Sequence, residues 1–343
     1  MSAVRTSLMA CLLLAACDGN PFAAGPGGGG NDPGVSNGSV STLPGTTTPT
    51  ATGDITRTEE RVTAVGANYG NGFAEGFSYN AAADTFRVDN LAFDGGNVYT
   101  RSAAVPNLGP ARVYAGAGTF PDNDTGALID QFSYRALYGV STSGRSTFAI
   151  VRTGAYIPYG FGGFIYSRDG GVVLPTSGQA NYTGDYAALR DYNGRGGMNM
   201  VTGDMEMSID FNDFNPDESP TGNGAGIQGQ VTNRRVFDLN GNDITAAVLF
   251  EINEDKNPDV DLTELPTLVF SVGPGVLDNN GEAEGELTST INSNGSIEQF
   301  EAGQYYAVIS GDNADEVVGV IVVTSSVDGV TVRDTGGFIL YRP

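Results

Sequence analysis

The segment Asp204-Met205-Glu206-Met207-Ser208-Ile209-Asp210-Phe211 decides the fold. Met205, Met207, Ile209 and Phe211 fall on one side, and Glu206, Ser208 and Asp210 on the other. A period of two over this length is the pattern of a half-buried β-strand. Gln131 to Val140 alternates in the same way, with Phe132, Tyr134, Ala136 and Tyr138 on one side, and so do Thr85 to Asn90 and Ser146 to Arg152. Gly303 to Ser310 and Glu316 to Thr324 are apolar on both faces, as expected of strands packed on two sides. Turn dipeptides separate the runs: Asn193-Gly194, Asn240-Gly241, Asn280-Gly281, Asn294-Gly295 and Asp328-Gly329. No amphipathic helical window exceeds about two turns. The expected class is all-β and antiparallel.

Composition removes many functions. The chain has 343 residues, 40% of them apolar, so a sizeable core can form. Its 50 glycines follow no G-X-Y period, which excludes collagen. With 40 acidic residues against 17 basic ones the formal charge is -23. Such a chain repels phosphate backbones, so no nucleic-acid partner is expected. There is no His, which removes imidazole bases, Ser-His-Asp and Cys-His triads and His-ligated zinc. The only Lys is Lys256, which leaves no phosphate-binding loop lysine and little scope for Schiff-base chemistry. The expectation is a protein that is not an enzyme, with no catalytic residues, no cofactor and no metal.

The first residues, MSAVRTSLMACLLLAAC, place one positive charge, Arg5, before an apolar run from Leu8 to Ala16. This is the layout of a secretory signal, and the run is too short to span a bilayer. Its end, Leu14-Ala15-Ala16-Cys17, resembles the bacterial lipobox, whose Cys is acylated and becomes the first mature residue. Residues 1–16 are therefore expected to be a lipoprotein signal peptide, with Cys17 the lipidation site and the bilayer the first partner. The only other cysteine, Cys11, lies inside the signal, so the mature chain can form no internal disulfide. Residues 17–53 contain ten Gly and five Pro after the lipid Cys and few large apolar residues, the composition of a disordered tether. A body held this way stands off the membrane.

The remaining chain divides into a smaller β subdomain, 54–156, and a larger part, 157–343. Gly162-Gly163-Phe164-Ile165-Tyr166 echoes Gly336-Gly337-Phe338-Ile339-Leu340-Tyr341. If these are the first and last strands of the larger part, they pair in a closed barrel.

The larger part resembles the β-barrel domain of transferrin-binding protein B and related surface lipoproteins. Leu174-Pro175-Thr176-Ser177-Gly178-Gln179-Ala180-Asn181-Tyr182-Thr183-Gly184 is similar to that family's entry strand. Met205 to Phe211, Gly226-Ile227-Gln228-Gly229, Gly303 to Gly311 and Ala314-Asp315-Glu316-Val317-Val318-Gly319 follow in the family's order. The resemblance implies an eight-stranded antiparallel β-barrel preceded by a small β-sheet handle. It also implies a surface-exposed outer-membrane lipoprotein of a Gram-negative bacterium that captures a protein or iron-carrier ligand. A TonB-dependent outer-membrane receptor would be a second partner. The alternatives are a structural or protective envelope lipoprotein and a lipocalin-like carrier. The chain has room for one handle-plus-barrel lobe where the family has two, and residues 233–266 form an acidic insertion. No binding residue of the family transfers, because its binding lies on variable loops.

Other candidate sites are weaker. Asp238-Leu239-Asn240-Gly241-Asn242-Asp243 partly matches a calcium loop but lacks its sixth-position Gly and twelfth-position Glu, and it reads better as an Asx-rich turn. Glu254 to Asp261 reads as a solvated acidic loop. Tyr69, Phe73, Phe77, Tyr156, Tyr159 and Phe161 supply either an aromatic binding patch or core.

The lipid assignment is open to a direct test. In Cys17→Ser the protein is expected to move from the membrane to the soluble fraction on cell fractionation. An unchanged membrane fraction would remove the anchor.

Overall fold

The computed structural model describes residues 43–60, 74, 76–154, 161–193, 195–212, 225–256, 260–271 and 273–343. Two nine-stranded antiparallel sheets and a small hairpin account for the strands among them. The first sheet contains β1 (Ile55–Thr58), β2 (Phe77–Asn80), β3 (Thr85–Val88), β4 (Val98–Arg101), β5 (Asn107–Leu108) and β6 (Ala111–Ala115). It continues with β9 (Tyr134–Val140), β10 (Ser146–Thr153) and β11 (Gly162–Arg168). Its order is β1-β11-β10-β9-β6-β4-β3-β2, with β5 beside β6. This curled handle is filled by Phe86, Tyr99, Tyr114, Tyr134, Ala136 and Val151, so the alternation in 131–140 points its aromatic face into this core. β7 (Thr119–Pro121) and β8 (Leu128–Asp130) form the separate hairpin.

The second sheet closes on itself. Its strands are β12 (Gln179–Tyr192), β13 (Met198–Asp210), β14 (Ala225–Phe237), β15 (Leu268–Phe270), β16 (Gly273–Leu277), β17 (Glu282–Ser293), β18 (Ser296–Ser310), β19 (Glu316–Val327) and β20 (Val330–Tyr341). The short β15 and β16 share one position between β14 and β17, so the barrel has eight strand positions. β12 pairs with both β13 and β20, and β13 with β14, which completes the ring. Met205, Met207 and Ile209 point inward, as the opening segment dictates, and join Tyr182, Tyr186, Phe270, Tyr305 and Phe338 in one core. A barrel of this size has an interior that side chains can fill. Two predicted turns behave as expected. Asn294-Gly295 and Asp328-Gly329 each have both residues at positive φ, the type I′ geometry that joins β17 to β18 and β19 to β20.

Closure differs from the expectation. The strand Gly162–Arg168 does not pair with Gly336–Tyr341; it lies in the handle between β1 and β10. The barrel closes instead through β12 against β20, in a register that sets Tyr186 opposite Phe338. The first barrel strand is therefore Gln179–Tyr192 rather than the one at Gly162. The paired glycines of β20 make room for aromatic rings on both faces of the strand. A Cβ on Gly336 would sit 2.2 Å from the ring of Tyr186 inside the barrel, and one on Gly337 would sit 2.3 Å from the ring of Phe148 of β10. One glycine lets a tyrosine fill the lumen, and the next lets the handle close onto the barrel wall.

Two further differences concern residues expected to lack structure. Residues 43–53, assigned to the tether, lie against the handle. Leu43 is buried, Thr46 N–H donates to Thr56 O, and Val172 N–H donates to Ala51 O. Within the acidic insertion, Thr245–Lys256 forms a helix, α1, although no helix beyond about two turns is expected from the pattern. Only Leu249 and Ile252 of its apolar residues are buried, while Phe250 faces outward, so the helix carries no clean amphipathic stripe. Its start is fixed by Asp243, whose carboxylate accepts the Thr245 N–H at 2.9 Å.

Gly336→Ala is expected to lower the urea midpoint by the equivalent of about 1–3 kcal/mol, the usual cost of overpacking a filled core. Tyr186 is fully buried and has little freedom to retreat. An unchanged midpoint would show that the ring can move.

Candidate functional site

Buried arginines join the parts of the molecule. Arg168, at the end of β11, donates to five backbone carbonyls: Gly170, Asn280, Ile309, Thr50 and Gly53, all at 2.8–2.9 Å. These come from the 43–53 segment, the handle and the barrel, and they occupy all five N–H groups of the guanidinium. Burial pushes its pKa down, offset by Glu282, Asp278 and Asp54 nearby. Arg57 of β1 forms a bidentate pair with Glu282 of β17 at 2.5 and 2.7 Å and also donates to Leu43 O and Thr46 O. The hydrogen bond to Glu282 raises its pKa despite burial. Arg152 of β10 pairs with Glu59 at 2.8 Å and reaches Thr335 Oγ1 on β20. Beside it Arg333 holds Asp191 at 3.0 Å on the barrel wall. Burial raises the Asp191 carboxyl against the pull of Arg333 and Arg152.

A second cluster lies inside one end of the barrel. Arg190 of β12 donates from Nε and Nη2 to Asp334 of β20 at 2.7 and 2.8 Å. Arg234 of β14 donates to Glu301 at 2.6 and 2.8 Å and to Asp334 at 3.1 Å, and Ser289 also donates to Glu301. Two positive and two negative groups balance there. Burial alone would raise Asp334, but Arg190 and then Arg234 outweigh it and hold the carboxyl below its ordinary value. Tyr186 Oη and Arg234 Nε are buried without a hydrogen-bond partner in this cluster.

The clearest candidate for partner binding is on the handle. Phe120 and Ile129 face each other across β7 and β8, and Leu128 follows at the tip. All three are exposed, Leu128 by 71%, as is Phe93 by 59%. The ring of Phe120 lies over Gly96, and Phe93 packs on Phe132 with centroids 5.4 Å apart, so the hairpin and the loop around Phe93 adjoin. Gly95 N–H donating to the Gln131 side chain joins them again. Asp122, Asp124 and Asp130 lie in or beside the hairpin. An apolar surface with acidic neighbours is the anatomy of an interaction patch rather than of a reaction centre.

Cys17 lies outside the described residues, as do Tyr69, Phe73, Tyr156 and Tyr159. Phe77 and Phe161 pack against the handle core, on Phe86 and Phe132. The Asp238–Asp243 stretch is a turn: the Asp238 carboxylate accepts the N–H groups of Asn240 and Asn242 and the side-chain amide of Asn242. Among the described residues no group of three or more acidic, Cys or His side chains is placed to hold a metal ion. Of the Glu254–Asp261 run, residues 254–256 belong to α1 and Val260 is buried, so it is not wholly a solvated loop. The β7–β8 patch escaped sequence reasoning because Thr119-Phe120-Pro121 and Leu128-Ile129-Asp130 are too short to show a period.

Asp334→Asn is expected to destabilise the barrel by about 3–5 kcal/mol at neutral pH, because two buried guanidinium groups lose a shared counter-charge. A carboxyl held low in the folded state stabilises fully above its unfolded pKa of about 3.9 and loses that contribution as pH falls below it. The difference in urea midpoint between parent and variant should therefore be constant from pH 7 to about 5 and shrink below about 4. A difference that grows on acidification would contradict the assignment.

No family model matches the chain, nor does any curated protein. Among solved structures it is similar to a double mutant of the vaccine antigen transferrin-binding protein B from Haemophilus parasuis, at 11% identity and a TM-score of 0.35, over 77% of this chain and 43% of that one. Intact Ap-TbpB, with N and C lobes, gives 11% identity and a TM-score of 0.34 over 78% and 46%. Ail, the attachment invasion locus protein of Yersinia pestis, gives 13% and 0.16 over 49% and 100%. The chain spans less than half the length of the two transferrin-binding structures. Likeness at this distance assigns neither family nor ligand; the handle-plus-closed-barrel description rests on the strand pairings themselves.

Proposed function

We propose that this protein is a lipid-anchored, surface-exposed binding lipoprotein that captures a protein partner through the apolar β7–β8 hairpin of its handle. The observation that carries the reading is the exposure of Leu128, Ile129, Phe120 and Phe93 as adjoining side chains, whereas the other exposed large apolar residues, Val173, Phe250, Val269 and Ile297, lie on separate segments of the chain. Water contact with such a patch is unfavourable, and a partner that covers it gains the burial. The chain charge of -23 and the aspartates near the hairpin select a partner whose contacting surface is basic around an apolar centre. Lipidation at Cys17 and the tether that follows would carry the body away from the bilayer to meet a large molecule. The iron-carrier ligand and the TonB-dependent receptor come from the sequence resemblance. A lipocalin-like carrier is disfavoured by a lumen filled with Tyr182, Tyr186, Tyr305, Phe270 and Phe338, all essentially inaccessible to solvent.

The experiment compares partners captured from native medium by the full chain and by Leu128→Ser/Ile129→Ser, over a salt series. Both substituted side chains are exposed, so thermal unfolding should be unchanged. A partner held by the parent, weakened by salt and lost from the variant by tenfold or more is the expected result. Equal capture by the two proteins would exclude the hairpin as the binding surface.

A further inference from the structure

A cavity of about 270 Å³ lies at the barrel end beside α1. That is near the lower bound of small-molecule pockets, about 300–1,000 Å³. Arg190 and Glu301 of the internal charge cluster line it, with Phe250 and Ile252 of α1, Phe300 of β18 and Val327 of β19 contributing apolar surface. Its polar groups are unequally satisfied. Glu301 is taken by Arg234 and Ser289, and Asp255 by Lys256 at 2.9 Å. Arg190, whose side chain is only 6% exposed, spends Nε and Nη2 on Asp334, and its Nη1 has no hydrogen-bond partner among the described residues. Glu251 and Glu254, one helical turn apart on α1, also line the cavity and have no ion-pair partner among the described residues.

The cavity thus presents a free guanidinium donor from the buried cluster, the carboxylates of Glu251 and Glu254 on α1 and apolar wall between, with Arg195, stacked on Tyr192 at 4.9 Å, and Asp328 as further charged lining residues. A ligand that is only an anion meets the α1 carboxylates unfavourably, and one that is only a cation meets Arg190 unfavourably. A molecule carrying both charges satisfies both ends, and the partly enclosed site strengthens each contact relative to bulk water. We propose that this cavity binds a small zwitterion of the amino-acid class with an apolar side chain, its carboxylate on Arg190 and its ammonium toward Glu251 and Glu254. Phe250, 65% exposed on α1, and Phe300 then cover the apolar side chain. This site is separate in sequence and in sheet from the handle hairpin and does not depend on what the hairpin captures.

Calorimetric titration of the full chain with L-leucine, 4-methylpentanoate and 3-methylbutylamine tests each end. The three share one branched apolar body; the second lacks the ammonium and the third lacks the carboxylate. Leucine is expected to bind at least about tenfold more tightly than either, equivalent to about 1.4 kcal/mol. An analogue that equals leucine would overturn the two-ended site, and so would the absence of any leucine binding at millimolar concentration, which would leave a cavity that holds water only. The carboxylate end is read on the parent protein, so no substitution in the buried cluster is needed. Glu251→Gln/Glu254→Gln is expected to weaken leucine by about tenfold while leaving 4-methylpentanoate no weaker. Unchanged leucine affinity in that variant would refute the ammonium position.

Discussion

Arg168 is the contact on which the arrangement depends. Its five donors meet carbonyls of the 43–53 segment, of the handle and of two barrel segments, with no carboxylate in direct hydrogen bond. A buried cation of this kind persists only where every N–H is satisfied. Lysine, with three donors at one point, could not span these carbonyls, and arginine's flat fork can. Three parts of the chain are therefore held at fixed distances by one side chain. The Arg57–Glu282 pair repeats the link a few residues away, and Arg152 with Thr335 makes another between β10 and β20.

The other buried arginines are matched by carboxylates. Arg57 with Glu282, Arg152 and Arg333 with Glu59 and Asp191, and Arg190 and Arg234 with Asp334 and Glu301 are each electrically balanced. Arg168 is buried as a cation on carbonyls alone, and Asp94, Asp210 and Glu316 are buried acids outside these pairs; the paired groups add nothing to the net charge of -23. Balanced buried clusters are costly to break and add little net stability compared with apolar packing. Their effect is to fix register: Asp334 can meet both Arg190 and Arg234 only when β20 sits in one alignment with β12 across the closure.

Both proposed binding regions lie where this tightly satisfied frame ends. The β7–β8 hairpin stands outside the two large sheets, and its side chains have no layer to pack under. The α1 cavity forms because the acidic insertion lays a helix beside the barrel end, next to a charge cluster in which Arg190 keeps a donor to spare.

The sequence by itself determined the elements that local periodicity can specify. Alternation in Asp204–Phe211 and Gln131–Val140 assigned both strands and the faces that became core, and Asn294-Gly295 and Asp328-Gly329 marked hairpins that need positive φ. It determined the chemistry that is excluded, since a chain without His cannot use imidazole. Tertiary structure alone decided which strands close the barrel. Gly162–Tyr166 and Gly336–Tyr341 look alike because each is a glycine-rich apolar strand packed on both faces, and such a pattern carries no information about its neighbour. It also decided the helix at Thr245–Lys256, which its environment stabilises more than any stripe, and the fate of each arginine. Charge pairing across 100 or more residues, as between Arg57 and Glu282 or Arg190 and Asp334, leaves no local trace, because the partners meet only after the sheets have formed.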